Sequence, residues 1–166
     1  MQKAVEVQTQ ESKEEESEKE KRKTSIIVHG LPESADLDNT KREDDDNSMV
    51  VSMFQEMGCE EVEVKKTIRL GKKPTDSERM SAVKTRPMKV ILATETQKSE
   101  ALKKSKNLRR EEEAVWAKVF LHQDLTVKER EARRVLVQEL HQRKEMGEKD
   151  LIIVDYSHLS SCIQAV

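Results

Sequence analysis

One stretch limits what this chain can fold into: residues 24–34, TSIIVHGLPES, where a polar, charge-dense sequence first turns apolar and β-branched. Ile26, Ile27 and Val28 predict a strand, because branched side chains pack well on a pleated surface. Gly30, Pro32 and Ser34 stop it: glycine permits positive φ, and proline withdraws a backbone donor. Material to build around this strand is scarce. Charged residues make up 39% of the 166 and aromatics 2%. The expectation is therefore one small module with helical or disordered flanks rather than a large globule.

Residues 1–23 are almost entirely Glu, Lys, Gln and Ser, and read as the stub of a helix with Glu–Lys pairs or as a disordered tail. Residues 35–46 read as an acidic loop. Met49, Val50, Met53, Phe54 and Met57 then share one helical face. Asp44, Asp45 and Asp46 are expected at the positive end of that helix, and Gly58 just past its C-terminus. The methionine stripe is read as core, since flexible thioethers fill gaps that absent aromatics leave. Residues 62–70 alternate as a second strand with a bulge. Residues 71–87, GKKPTDSERMSAVKTRP, read as a long mobile loop. Met88, Val90 and Leu92 mark a third strand, antiparallel to the second. From Thr94 to about Arg110 a helix is expected, opened by a capping box of Thr94 with Gln97 and turning Ala101, Leu102, Ser105 and Leu108 inward. WAKVFL, 116–121, reads as the fourth strand.

The order strand, helix, strand, strand, helix, strand predicts an α+β fold, the ferredoxin-like βαββαβ arrangement: one antiparallel sheet, two helices on one face, the other face open. RNA recognition motifs use that open face as a platform. After it comes an amphipathic helix, with a capping box of Thr126 and Glu129, an apolar side of Ala132, Val135, Leu136 and Leu140, and a basic side of Arg130, Arg133, Arg134, His141 and Lys144 in which Val137 is the exception. Gly147 is expected to end it. LIIV, 151–154, reads as a fifth strand. The expected domains are thus a charged tail at 1–23, an RNA-recognition-motif-like domain at 24–125, a partial C-terminal lobe at 126–154 and an unpatterned tail at 155–166.

The formal net charge of −2 conceals a segregation: residues 1–64 carry 8 Lys/Arg against 18 Asp/Glu, and residues 65–143 carry 21 against 11. Either the second segment is a set of solvated helix faces or it meets an anionic partner, most simply nucleic acid. Cys59, Cys162 and the four histidines stand at no ligand spacing, so neither a metal site nor a disulfide framework is expected. No apolar run reaches spanning length and the N-terminus is acidic and polar, which predicts no membrane partner and a reducing compartment, cytoplasm or nucleus. LGKKPTD lacks the spacing of a phosphate loop. With no nucleophile–base pair or supported carboxylate dyad, the expectation is no enzyme, no cofactor and no small-molecule substrate.

Several blocks, in order, resemble one family. HGLPES at 29–34, IRLGKK at 68–73, RPMKVIL at 86–92, LHQDLT at 121–126 and the helix KEREARRVLVQELHQR look like the RNA-binding first-open-reading-frame protein of LINE-type non-LTR retrotransposons. The resemblance implies an RNA-recognition-motif-like domain with a C-terminal lobe, single-stranded RNA running in a basic cleft between them, and nucleic-acid chaperone activity. It implies homo-oligomers through an upstream coiled coil, of which residues 1–23 are at most a remnant. By this likeness Arg133 and Arg134 match paired RNA-contacting arginines, and Arg69, Arg86 and Lys89 fall in the second- and third-strand blocks. Lys72 and Lys73 are either phosphate-reaching or plain loop residues, and Arg130 either binds or sits on a solvated face beside Glu129 and Glu131.

On the sheet face the alternation presents Ile27, His29, Lys89 and Ile91, none of them Phe, Tyr or Trp. Base stacking is therefore not expected there, and RNA should be held by its phosphates with little sequence preference. The alternative is a non-catalytic protein-interaction scaffold with incidental charge.

Overall fold

The computed structural model of the protein describes residues 2–34, 36, 38–72, 85–109, 116–154 and 162–165. The chain divides into two compact units, Met1–Asp124 and Leu125–Val166.

In the first unit a long helix, α1 (Gln2–Arg22), leads into β1 (Ser25–His29). Then follow α2 (Asn39–Glu56), β2 (Val64–Arg69), β3 (Met88–Leu92), α3 (Glu95–Lys104) with a 3-10 turn (Ser105–Arg109), and β4 (Phe120–Gln123). The four strands form one antiparallel sheet in the order β2-β3-β1-β4. The strand expected around Ile27 is thus central, flanked on both sides.

Side chains alternate across a strand, so the register sorts the sheet into two faces. Ile26 and Val28 of β1 pair with Val90 and Met88 of β3, and Val28 also pairs with Leu121 of β4. These residues, with Leu92, are buried in one core together with Val50, Met53, Phe54 and Met57 from α2 and Ala101 and Leu108 from α3 and its 3-10 turn. The methionine stripe is core, as its period predicted. The opposite face carries Ile27, His29, Lys89, Ile91, Phe120 and His122, half-buried or exposed.

Two boundaries and one cap differ from expectation. Helix α2 starts at Asn39, capped by Asp38, whose carboxylate accepts from the Thr40 N–H at 2.9 Å. Asp44, Asp45 and Asp46 therefore lie inside the helix and not at its positive end. Their work is local: Asp45 accepts from Ser34 and Asp46 pairs with Arg69. No apolar periodicity exists before Met49 to signal those two turns. The C-terminus is as expected, with Gly58 at φ +74° and the Cys59 N–H closing on the Phe54 carbonyl at 2.8 Å. Thr94 caps α3 by accepting from the Gln97 N–H at 3.2 Å, but the Gln97 side chain donates to the Glu61 carbonyl at 3.0 Å. Only half of that capping box forms.

The fourth strand is shifted. Residues Trp116, Ala117 and Lys118 form a turn, closed by the Val119 N–H on the Trp116 carbonyl at 2.8 Å, and β4 begins at Phe120. That turn lies against Gly30, where an added Cβ would stand 2.2 Å from the Lys118 carbonyl oxygen. The bulge expected in the second strand is present as a register shift between Val64 and Lys66.

The second unit holds α4 (Val127–Glu145), β5 (Leu151–Val154) and β6 (Cys162–Ala165), the two strands pairing antiparallel. The expected capping box at Thr126 and Glu129 forms in both directions, at 3.2 and 2.9 Å. Gly147 follows the helix at φ +94°. The reading of 155–166 as unpatterned is corrected at its end: Cys162–Ala165 form a strand that pairs with β5, four residues being too short to stand out in the sequence. No residue of α4 is fully buried; on its expected apolar side Leu136 and Leu140 are half-buried, while Ala132 and Val135 are exposed. The predicted 71–87 loop lies mostly outside the described residues.

Candidate nucleic-acid interface

Basic residues singled out from sequence separate into two kinds once their partners are known. Arg69 is a crosslink. Its guanidinium spans Asp46 at 2.7 Å, the Leu31 carbonyl at 2.9 Å and the Arg86 carbonyl at 3.0 Å, and its Nη2 also donates to the Pro32 carbonyl. Its side chain is only 7% exposed. It points to the helix side of the sheet and ties the segment after β1 to α2 and β3. Arg86 holds Glu33, with Nη2 at 2.8 Å and Nε at 3.0 Å from Oε2, while its backbone N–H donates to Oε1 at 2.8 Å. Burial pushes the Glu33 carboxyl up, but the Arg86 hydrogen bonds and charge outweigh this and hold it below the usual carboxylate value.

Lys89 lies on the other face, 2.7 Å from Asp124. Asp124 is 8% exposed and also accepts from Ser25 Oγ at 2.8 Å and from Arg22 Nη1 at 3.4 Å. Burial raises its pKa; the hydrogen bonds from Lys89 and Ser25 and the charges of Lys89 and Arg22 more than offset that, leaving it below the usual value. These three cations, Arg69, Arg86 and Lys89, each already face a carboxylate.

Of the other candidates, those among the described residues are exposed. Lys72 stands just after β2, and Lys73 lies outside the described residues. Arg130, Arg133 and Arg134 are exposed along α4 in the second unit, where Arg130 Nε donates weakly to the Thr126 carbonyl at 3.4 Å. Lys65 and Lys66 of β2, not singled out from sequence, are exposed as well. Lys66 pairs with Ile91, which puts it on the same face as Lys89.

That face also corrects the expectation that it holds no aromatic ring. His29 pairs with Phe120 across β1 and β4, and their rings stack with centroids 4.9 Å apart and planes within 5°. His122, two residues on, meets both edge-on, at 5.3 Å from His29 and 5.1 Å from Phe120. Burial lowers the His29 pKa, which favours a neutral ring at neutral pH. A fourth strand at 116–121 stops short of His122, which the structure places inside β4, so the cluster does not show in that expectation. The usable signal was the alternation of Phe120 and His122 about Leu121.

Among the described residues, no group of three or more His, Cys, Asp or Glu side chains could hold a metal ion. No described helix is long and apolar enough to cross a membrane. The arrangement supplies cations and flat rings for a ligand. No protein-family model matches the chain, and no curated protein matches it.

Proposed function

We propose that this chain binds single-stranded RNA, chiefly through phosphates and with little sequence preference, as a protein of the LINE-type first-reading-frame kind. In this reading the first unit is a ferredoxin-like, RNA-recognition-motif-like domain and the second is a partial C-terminal lobe. The strand order β2-β3-β1-β4 with intervening helices supports the fold assignment. The observation that supports the function is the exposed pair Lys65 and Lys66 on β2, in a sheet whose four strands hold no acidic residue, while Arg69 and Lys89, its other charged residues, are held by Asp46 and Asp124. Arg130, Arg133 and Arg134, exposed on α4, add a second cationic surface. Homo-oligomers through a coiled coil, chaperone activity and a cytoplasmic or nuclear ribonucleoprotein setting belong to the same proposal.

Anisotropy titration of a labelled single-stranded RNA of about 20–30 nucleotides, repeated across salt concentrations, tests it. A contact with each phosphate contributes about −0.7 to the slope of log affinity against log salt. Substituting Arg133→Ala and Arg134→Ala together should flatten that slope by roughly 1.4. Two unrelated sequences should give the same slope. An unchanged slope in the double variant removes those arginines from the interface, and absence of binding at low salt removes the function. A protein-interaction scaffold is the reading that would then remain, favoured by Val135 at 61% and Val137 at 37% exposure on α4.

A further inference from the structure

We infer that the free edge of β2, with the groove between it and α2, docks an extended acidic peptide that adds a strand to the sheet. The order β2-β3-β1-β4 leaves β2 a neighbour on one side only among the described strands. Main-chain groups alternate along an antiparallel pair. The Leu70 N–H closes on the Pro87 carbonyl at 2.8 Å, and Ile68 and Lys66, in step with Leu70, pair with Lys89 and Ile91. Thr67 and Arg69, out of step, therefore turn their N–H and C=O groups to the open edge. Such an edge is a template for a further strand, which main-chain hydrogen bonds hold and side-chain contacts select.

The surroundings select the occupant. Among the described residues of the first unit, the large apolar side chains left exposed are Val51, at 46%, and Ile68, at 37%, and both line this groove. Thr67 Oγ1 donates to Asn47 Oδ1 at 2.7 Å and ties the α2 wall to β2. Residues of an added antiparallel strand that stand opposite Thr67 and Arg69 share their face, towards Val51 on α2. The intervening residues lie beside Lys66 and Ile68 on the outer face. Of the charges lining the groove, Asp46 is held by Arg69 and Glu33 by Arg86. Arg42, Lys65 and Lys66 stand against Glu43 alone, without an ion pair among the described residues, so the surplus is positive. A second copy of the chain is the wrong occupant, because β2 against β2 sets Lys65 and Lys66 against the same two lysines. Lysines and a bulge are how an edge strand refuses its own kind, and neither excludes a strand of opposite charge. A peptide that alternates apolar and acidic residues meets the apolar wall with one set and the lysines with the other.

The test is anisotropy titration of the full chain against a labelled peptide of about eight residues that alternates valine and glutamate. A second peptide carries methyl groups on its valine nitrogens, which keeps the charge and removes the donors that would face β2. The parent peptide should bind about tenfold or more tightly than this one, since several main-chain hydrogen bonds are lost together. Methylating the glutamate nitrogens instead, which point away from β2, should be tolerated. A valine–lysine peptide should not bind, and the double substitution Lys65→Glu with Lys66→Glu should reverse that preference. Val51→Glu, on the exposed side of α2, should weaken the valine–glutamate peptide while circular dichroism stays unchanged. Equal affinity for the parent and the valine-methylated peptide overturns strand addition and reduces the contact to charge attraction. Absence of binding by the parent peptide overturns the docking site outright. Oligomers of the chain that dissociate on Val51→Glu would give the edge to a second copy and overturn the peptide as occupant. The docking does not rest on the nucleic-acid reading: RNA titrations decide that one separately, and their failure leaves this one standing.

Discussion

At the scale of single residues, Gly30 is the position the fold can least afford to change. It holds φ +84°, and a Cβ there would meet backbone, with the Lys118 carbonyl oxygen at 2.2 Å and its carbon at 2.9 Å. Backbone cannot swing aside as a side-chain tip can. Gly30→Ala should therefore cost about 2 kcal/mol or more, from left-handed strain and from displacing the turn before β4. Chemical denaturation reads this directly, and a midpoint within error of the parent would contradict the close approach. Gly30 was legible as a strand stop, but its neighbour was not, because Lys118 is remote in sequence. Arg69 makes the same point. From sequence it is a cation in a basic block. In the fold it serves Asp46 and three carbonyls, partners that only the closed βα connection brings together.

At the scale of elements, what was legible is what has a period or a cap. The α2 stripe, the bulged β2, the alternation of β3 and both ends of α4 all follow local rules, and local rules need no partner to be read. The first turns of α2 and the position of β4 depend on partners instead: on Asp46 for Arg69, and on Gly30 for the turn at Trp116. The same holds for the tie between α1 and the sheet. Asp124 at the end of β4 receives Arg22 from the last turn of α1, Ser25 from the first residue of β1 and Lys89 from β3. Arg22 is further braced by Glu18 at 2.7 Å, one turn back. The last turn of α1 is thereby held to the sheet and is not a free tail. Replacing Asp124→Asn keeps the shape and removes the charge that both cations face. It should destabilise the first unit by about 2 kcal/mol. Amide exchange in the last turn of α1 should accelerate more than exchange in α2. Equal acceleration in both helices would mean that Asp124 supports the sheet generally and does not hold α1.

At the scale of the whole molecule, the ionised groups set how stability follows pH. The candidate interface was legible as a charge imbalance, but charge counts cannot show which cations are already engaged. Glu33 and Asp124 both ionise more readily in the fold than as free carboxyls, because Arg86 in one case and Lys89, Ser25 and Arg22 in the other outweigh their burial. A depressed folded pKa stabilises fully above the unfolded value and is lost as pH falls through the folded one. These two carboxylates therefore protect the fold down to about pH 4 and withdraw that protection below it. His29 acts earlier and with the same sign. Burial depresses its pKa from the usual 6.5, so on acidification the unfolded chain takes up that proton before the folded chain does. Stability should fall gently from about pH 6.5 downward, then more steeply below about pH 4. Urea midpoints measured from pH 8 to pH 3 should trace both stages, and His29→Phe, which cannot protonate, should remove the first and keep the second. A midpoint that rises between pH 7 and pH 5 would show that protonated His29 is favoured in the fold. The ring cluster would then be a cationic site, and its stack with Phe120 would be a cation–π contact rather than a neutral platform.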